Sequence, residues 1–178
     1  ICNNGGFKWG VDDGLNHPIA PSDDYVSGRI ERVDLETGAV EVLYSECNGH
    51  PLSGPNDIVF DGNGNFWFTD LGKAWERELV HGAIYYARAD GSLIVEAMHP
   101  LAKPNGIGLS PDDKRLYAAE TDAGRLVAWD IVGEGQLSRQ PWPAIEFGDL
   151  IMAPEGNVRF DSLALEANGN ICVATLMT

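Results

Sequence analysis

The chain has 178 residues, with 12 Lys+Arg against 27 Asp+Glu and a formal net charge of −15. At 44% hydrophobic and 22% charged it is a globular composition, long enough to bury a core. The acidic balance excludes the basic stripe that nucleic acid or an anionic membrane surface requires, and no apolar run approaches the ~18–20 residues of a spanning helix.

The 21 Gly and 10 Pro predict many short strands joined by tight turns. The chain opens on Ile1-Cys2-Asn3-Asn4-Gly5-Gly6, where Asn3 and Asn4 end a first strand and are candidates for a channel mouth. Gly28-Arg29-Ile30-Glu31-Arg32-Val33-Asp34 follows, a Gly and then the alternation of a half-buried strand. The next unit reads as four strands, at about 56–61, 65–70, 82–88 and 93–98. Between its second and third strands, 73–79 is the nearest approach to a helix and is read as a connecting loop. That loop, through His81, is a candidate lid, with Arg77 or His81 as substrate contacts. Gly82-Ala83-Ile84-Tyr85-Tyr86-Ala87 and Gly124-Arg125-Leu126-Val127-Ala128-Trp129 repeat the earlier Gly-led strand. Trp67, Tyr117 and Trp129 are predicted to pack neighbouring units together. Asp70 and Glu120 stand at matching strand ends and read as loop caps. Cys2, Cys47 and Cys172 fit neither a zinc site nor a disulfide framework and are read as inert core residues. His17, His50, His81 and His99 are scattered, without metal spacing.

A repeat organises these elements. Pro55-Asn56-Asp57-Ile58-Val59-Phe60 and Pro104-Asn105-Gly106-Ile107-Gly108-Leu109 lie 49 residues apart. Asn63-Gly64-Asn65-Phe66-Trp67-Phe68 returns 105 residues later as Asn168-Gly169-Asn170-Ile171-Cys172-Val173, and that spacing carries Asn56 onto Asp161. A period near 50 with four short antiparallel strands is the signature of a β-propeller blade. Innermost strands line the channel of a propeller, so Asn56, Asn105 and Asp161 are predicted to converge on its axis. Two amide oxygens and a carboxylate suit a hard divalent cation. Calcium, magnesium and manganese are cations of that kind. Regular alternation points Asp57 away from the axis, and a bend at the channel mouth returns it as a substrate group.

Gly54-Pro55-Asn56-Asp57-Ile58-Val59-Phe60-Asp61, with Phe66-Trp67-Phe68-Thr69-Asp70, resembles the SMP-30/gluconolactonase/LRE family, to which regucalcin belongs. Lys103-Pro104-Asn105-Gly106-Ile107 and Phe160-Asp161-Ser162-Leu163-Ala164 resemble its next two blades. The resemblance implies an all-β, six-bladed propeller and a metal-dependent hydrolase of a small sugar lactone, with calcium the first expectation and magnesium, manganese or zinc the alternatives. It implies Asn56, Asn105 and Asp161 as metal ligands, completed by a Glu that has no counterpart here. Asn56, Asn105 and Asp57 are then substrate-binding residues, and Asp161 is the catalytic residue, as base or as orienter of water. An organophosphate or other ester hydrolase and a non-catalytic calcium-binding propeller are the alternative readings. Some family members carry an Arg where this chain has Gly54. At about 50 residues per blade, 1–178 supplies about 3.5 blades of one domain. The divisions are about 1–50 for the rest of a second blade, 51–100 and 101–150 for the next two, and 151–178 for the start of a fifth. Flanking sequence or another chain is expected to complete the ring. The expected partner is a small-molecule lactone rather than nucleic acid or membrane. The cytoplasm is the expected location and the periplasm the alternative; oligomeric state is not legible.

Overall fold

A computed structural model describes residues 1–141 and 148–177. The remainder of the 101–150 and 151–178 spans lies outside the described residues. The described secondary structure consists of strands. Three antiparallel sheets follow one another along the chain, and a hairpin comes after them. The first sheet joins Cys2–Asn3, Arg29–Val33 and Val40–Tyr44. The second holds four strands in sequence order, Pro55–Phe60, Phe66–Asp70, Gly82–Ala87 and Ile94–Leu101. The third runs Pro104–Leu109, Arg115–Glu120 and Arg125–Gly133, with Asp149–Met152 paired outside. The hairpin pairs Arg159–Leu165 with Ile171–Met177. The second and third sheets are propeller blades, each begun by its inner strand, and the last hairpin pairs an inner strand with its second strand.

The Gly-led strand of the second sheet, expected to be half-buried, is buried throughout, and so is the strand beside it. Every residue of Phe66–Asp70 and Gly82–Ala87 is buried, because a neighbour covers both faces of the blade. Alternation then sorts the side chains. Phe66, Phe68, Ala83 and Tyr85 join Ile30 and Tyr44 of the preceding sheet in one core. Trp67, Ile84 and Tyr86 join Ile107, Val127 and Trp129 of the following blade in another. Trp67 and Trp129 thus pack blades together, as expected, and Tyr117 packs against the next joint. The recurring Gly has a packing cause. A Cβ on Gly28 would lie 2.2 Å from Pro55 Cδ, and one on Gly82 would lie 2.2 Å from Pro104 Cδ. Each Gly therefore lets the Pro that opens the next inner strand approach its backbone.

Two details depart from the sequence reading. The 73–79 segment is not a plain loop: Lys73–Ala74 pairs with Leu79–Val80 in a small hairpin. Of the three free cysteines, Cys47 is buried and Cys2 half-buried, whereas Cys172 is exposed on the last hairpin and is not a core residue.

Candidate functional site

The site begins with an irregularity that recurs in three inner strands. Pairing between inner and second strand slips between Pro55 and Ile58, between Pro104 and Ile107, and between Phe160 and Leu163. The residues inside the slips are Asn56-Asp57, Asn105-Gly106 and Asp161-Ser162. A bulge leaves residues out of the ladder and re-aims their side chains. The repeat spotted in sequence is thus a repeat of bulges.

Two of the predicted ligands meet. Asn105 is buried, and its Nδ2 donates to Asp161 Oδ1 at 2.7 Å and to Thr121 Oγ1 at 3.2 Å. The Thr121 hydroxyl in turn donates to the Phe160 carbonyl at 2.8 Å. With its amide hydrogens committed, Asn105 is held in one orientation. Its Oδ1 and the second oxygen of Asp161 take no hydrogen bond among the described residues. Asn56 is half-buried, and no hydrogen bond joins its side chain to either residue. The free donors are therefore all oxygens, which fits a hard cation. Among the described residues no group of three His, Cys, Asp or Glu could hold a metal, so a site here depends on its amides.

Asp57 sits in the second bulge position of its strand and has a different surrounding. Its Oδ2 accepts the Ile107 amide of the next blade at 3.1 Å, and its Oδ1 accepts the Ile58 amide at 2.9 Å. Its own amide donates to Thr69 Oγ1 at 3.1 Å, and Thr69 donates to the Asn105 carbonyl at 2.5 Å. The strand bulges at Asp57, and the carboxylate lies on backbone amides. Asn3 and Asn4 cap local turns, each accepting an amide from two residues ahead. Asp70 is buried and accepts three amides, from Ser53, Gly54 and Gly72, at 2.6–2.7 Å. Burial pushes its pKa up, against the lowering pull of those amides. Glu120, equally buried, accepts the Ala102 amide and pairs with Arg125.

Lys73 escapes the sequence reading. It is 2% exposed; its Nζ donates to the Gly6 carbonyl at 3.0 Å and lies 3.6 Å above the Phe7 ring centroid. Burial pulls its pKa down to about 8, opposed by the Asp70 charge. It is buried under a hairpin, Phe7–Asp12 paired with Leu15–Pro21, that arrives from more than fifty residues upstream. No local pattern announces that. Arg77 and His81, the lid candidates, are exposed. A cavity of about 470 Å³ lies beside these elements, with Phe7, Lys73, Lys103, Asn105, Thr121 and Arg159 in its wall. Asn105 connects this cavity to Asp161.

A β-propeller whose successive inner strands present bulged Asn, Asn and Asp residues is the class that fold and site define. The family model described as "SMP-30/Gluconolactonase/LRE-like region" matches residues 10–178, and the chain belongs to that family. It is 39% identical over 80 residues, 45% of the chain, to lactonase drp35 of Staphylococcus saprophyticus, and 31% identical over 108 residues, 56% of the chain, to the gluconolactonase of Zymomonas mobilis. These alignments span 24% and 30% of the two relatives' own lengths. A solved gluconolactonase of Xanthomonas campestris superposes with a TM-score of 0.61 at 25% identity, covering 83% of this chain and 51% of that one.

Proposed function

We propose that this chain carries the axial site of a metal-dependent hydrolase that opens a small sugar lactone. The observation that carries the reading is the Asn105–Asp161 contact between bulges of adjacent blades, 2.7 Å long. The lactonase and gluconolactonase relatives support the reaction class.

Asn56, Asn105 and Asp161 would hold the cation through oxygen. A bound divalent ion, calcium first, would polarise the lactone carbonyl and stabilise negative charge on its oxygen. The residues' own parts follow from their contacts. Thr121 fixes the Asn105 amide, so Asn105 Oδ1 is preorganised and needs no reorientation when substrate arrives. Asp161 keeps one oxygen on Asn105 Nδ2 and has the other available to accept a hydrogen bond from water. That oxygen orients the water, or takes its proton, as the ring ester opens to a hydroxy acid. A carboxylate ligated to a cation is the weaker base of the two cases, because the ion lowers its pKa.

Metal removal tests the proposal. Gluconolactone hydrolysis is expected to stop after chelation and dialysis and to return with calcium or another hard cation. Full turnover in metal-free protein would contradict it.

A further inference from the structure

The chain carries a net charge of −15, yet three of its 12 Lys and Arg residues line the cavity beside Asn105. Those three are Lys73, Lys103 and Arg159, and among the described residues Asp122 is the one carboxylate in the same wall. Lys103 Nζ lies 2.9 Å from Asp122 Oδ2, and Arg159 Nη1 lies 3.4 Å from Asp122 Oδ1. Asp122 therefore holds two cationic heads side by side and neutralises one charge of the two. Both heads remain reachable, with side chains 34% and 45% exposed. Lys103 and Arg159 share the wall of this cavity with Asn105, one of the candidate metal ligands.

The backbone of Lys103 supplies a second observation. Four non-Gly residues among those described have a left-handed φ: Asp13, Asn48, Asp113 and Lys103, the last at φ 54°. Asp and Asn tolerate that conformation through local hydrogen bonds, and a long side chain does not. Lys103 is kept there by its carbonyl, which accepts the Thr121 amide at 3.0 Å. Strain of this kind persists where surrounding structure over-determines it, and it gathers at ligand sites. Gly would fit the φ at no steric cost, so the side chain itself is the reason to look for a ligand.

We propose that this cavity is an anion-recognising subsite, in which Lys103 and Arg159 take a carboxylate or phosphate substituent of the substrate. The Arg fork matches either group bidentately, and Lys103 adds a point charge. The substrate class is then a sugar lactone with a negatively charged group away from the ring ester. This rests on the lactone-hydrolase reading.

The test compares kcat/KM for gluconolactone, its 6-phosphate and the monolactone of the corresponding dicarboxylic sugar acid. At least one anionic lactone is expected to be favoured by about tenfold or more. Which one is favoured tells phosphate from carboxylate. In Lys103→Gly, which also relieves the backbone, and in Arg159→Gln, that ratio is expected to fall toward one. A wild-type ratio near one, or a ratio that both variants leave intact, overturns the subsite while leaving lactone hydrolysis standing. If no lactone is turned over, the hydrolase reading fails, and the subsite is judged by calorimetry with the open sugar acids. Tighter binding of gluconate 6-phosphate or of the dicarboxylate than of gluconate, lost in Lys103→Gly, upholds it; equal binding of all three overturns it.

Discussion

Two joints between blades use the same parts for different ends. Between the second and third sheets, Thr69 donates to the Asn105 carbonyl; between the third sheet and the last hairpin, Thr121 donates to the Phe160 carbonyl. In both, a threonine near the end of a second strand clasps the next inner strand at or beside its bulge. The bulges themselves differ. At the first joint the second bulge residue is Asp57, which spends its carboxylate on the Ile107 and Ile58 amides. At the second joint that place is Gly106, which has no side chain to give, and the joining is done by Asn105 and Asp161. One joint ties a carboxylate to backbone and the other ties an amide to a carboxylate. Where the second bulge position is glycine, the next inner strand lies close, and the Asn105 and Asp161 side chains meet.

The sharpest break of this comparison is Gly106→Ala. A Cβ there would lie 2.3 Å from Leu163 N and 2.6 Å from Ser162 C, both backbone atoms that do not swing aside. We expect a loss of about 3 kcal/mol by denaturant titration, the upper range for overpacking, together with loss of the Asn105–Asp161 contact and of activity. Asp57→Ala comes next. It leaves the buried Ile107 amide without its acceptor and is expected to cost about 2 kcal/mol. The paired variants Thr69→Val and Thr121→Val separate the two roles. Each loses two hydrogen bonds and is expected to cost about 2 kcal/mol, but only Thr121→Val takes a partner from the Asn105 side-chain amide. Lactone turnover should therefore fall more in Thr121→Val than in Thr69→Val, and equal losses would erase the distinction between the joints.

The smallest expected effect is one of pH. Lys73 titrates at about 8 in the folded chain, against an ordinary 10.5. Between those values the unfolded chain holds the proton that the folded chain has released. Its contribution to stability therefore rises as pH climbs from about 8 toward 10.5. Lys73→Met should remove that rise. Subtracting the two stability profiles isolates it from the raised tyrosines, Tyr25, Tyr44, Tyr85 and Tyr86, which act in the opposite direction at the alkaline end.

Much of the fold was legible because it repeats. The four strands read at 56–61, 65–70, 82–88 and 93–98 lie within a few residues of those observed. The spacing of Asn56, Asn105 and Asp161 likewise marked three equivalent places. The bulges were not legible, because a register slip is a property of two strands and neither sequence states it. For the same reason the partner of Asp57 was hidden: Ile107 is fifty residues away. Lys73 was missed because a lysine after Gly72 reads as solvated until the 7–21 hairpin is placed over it. The left-handed φ of Lys103 was invisible because the sequence offers lysine where the conformation favours glycine.

In the proposed reaction Asp161, aligned by Asn105, serves lactone opening directly. Asp161→Ala removes the carboxylate from a half-buried position without touching the two large cores. With the fold verified by circular dichroism and melting temperature, kcat for gluconolactone is expected to fall on the order of 10²–10³-fold. A variant that stays folded and turns the lactone over at the wild-type rate would contradict the account.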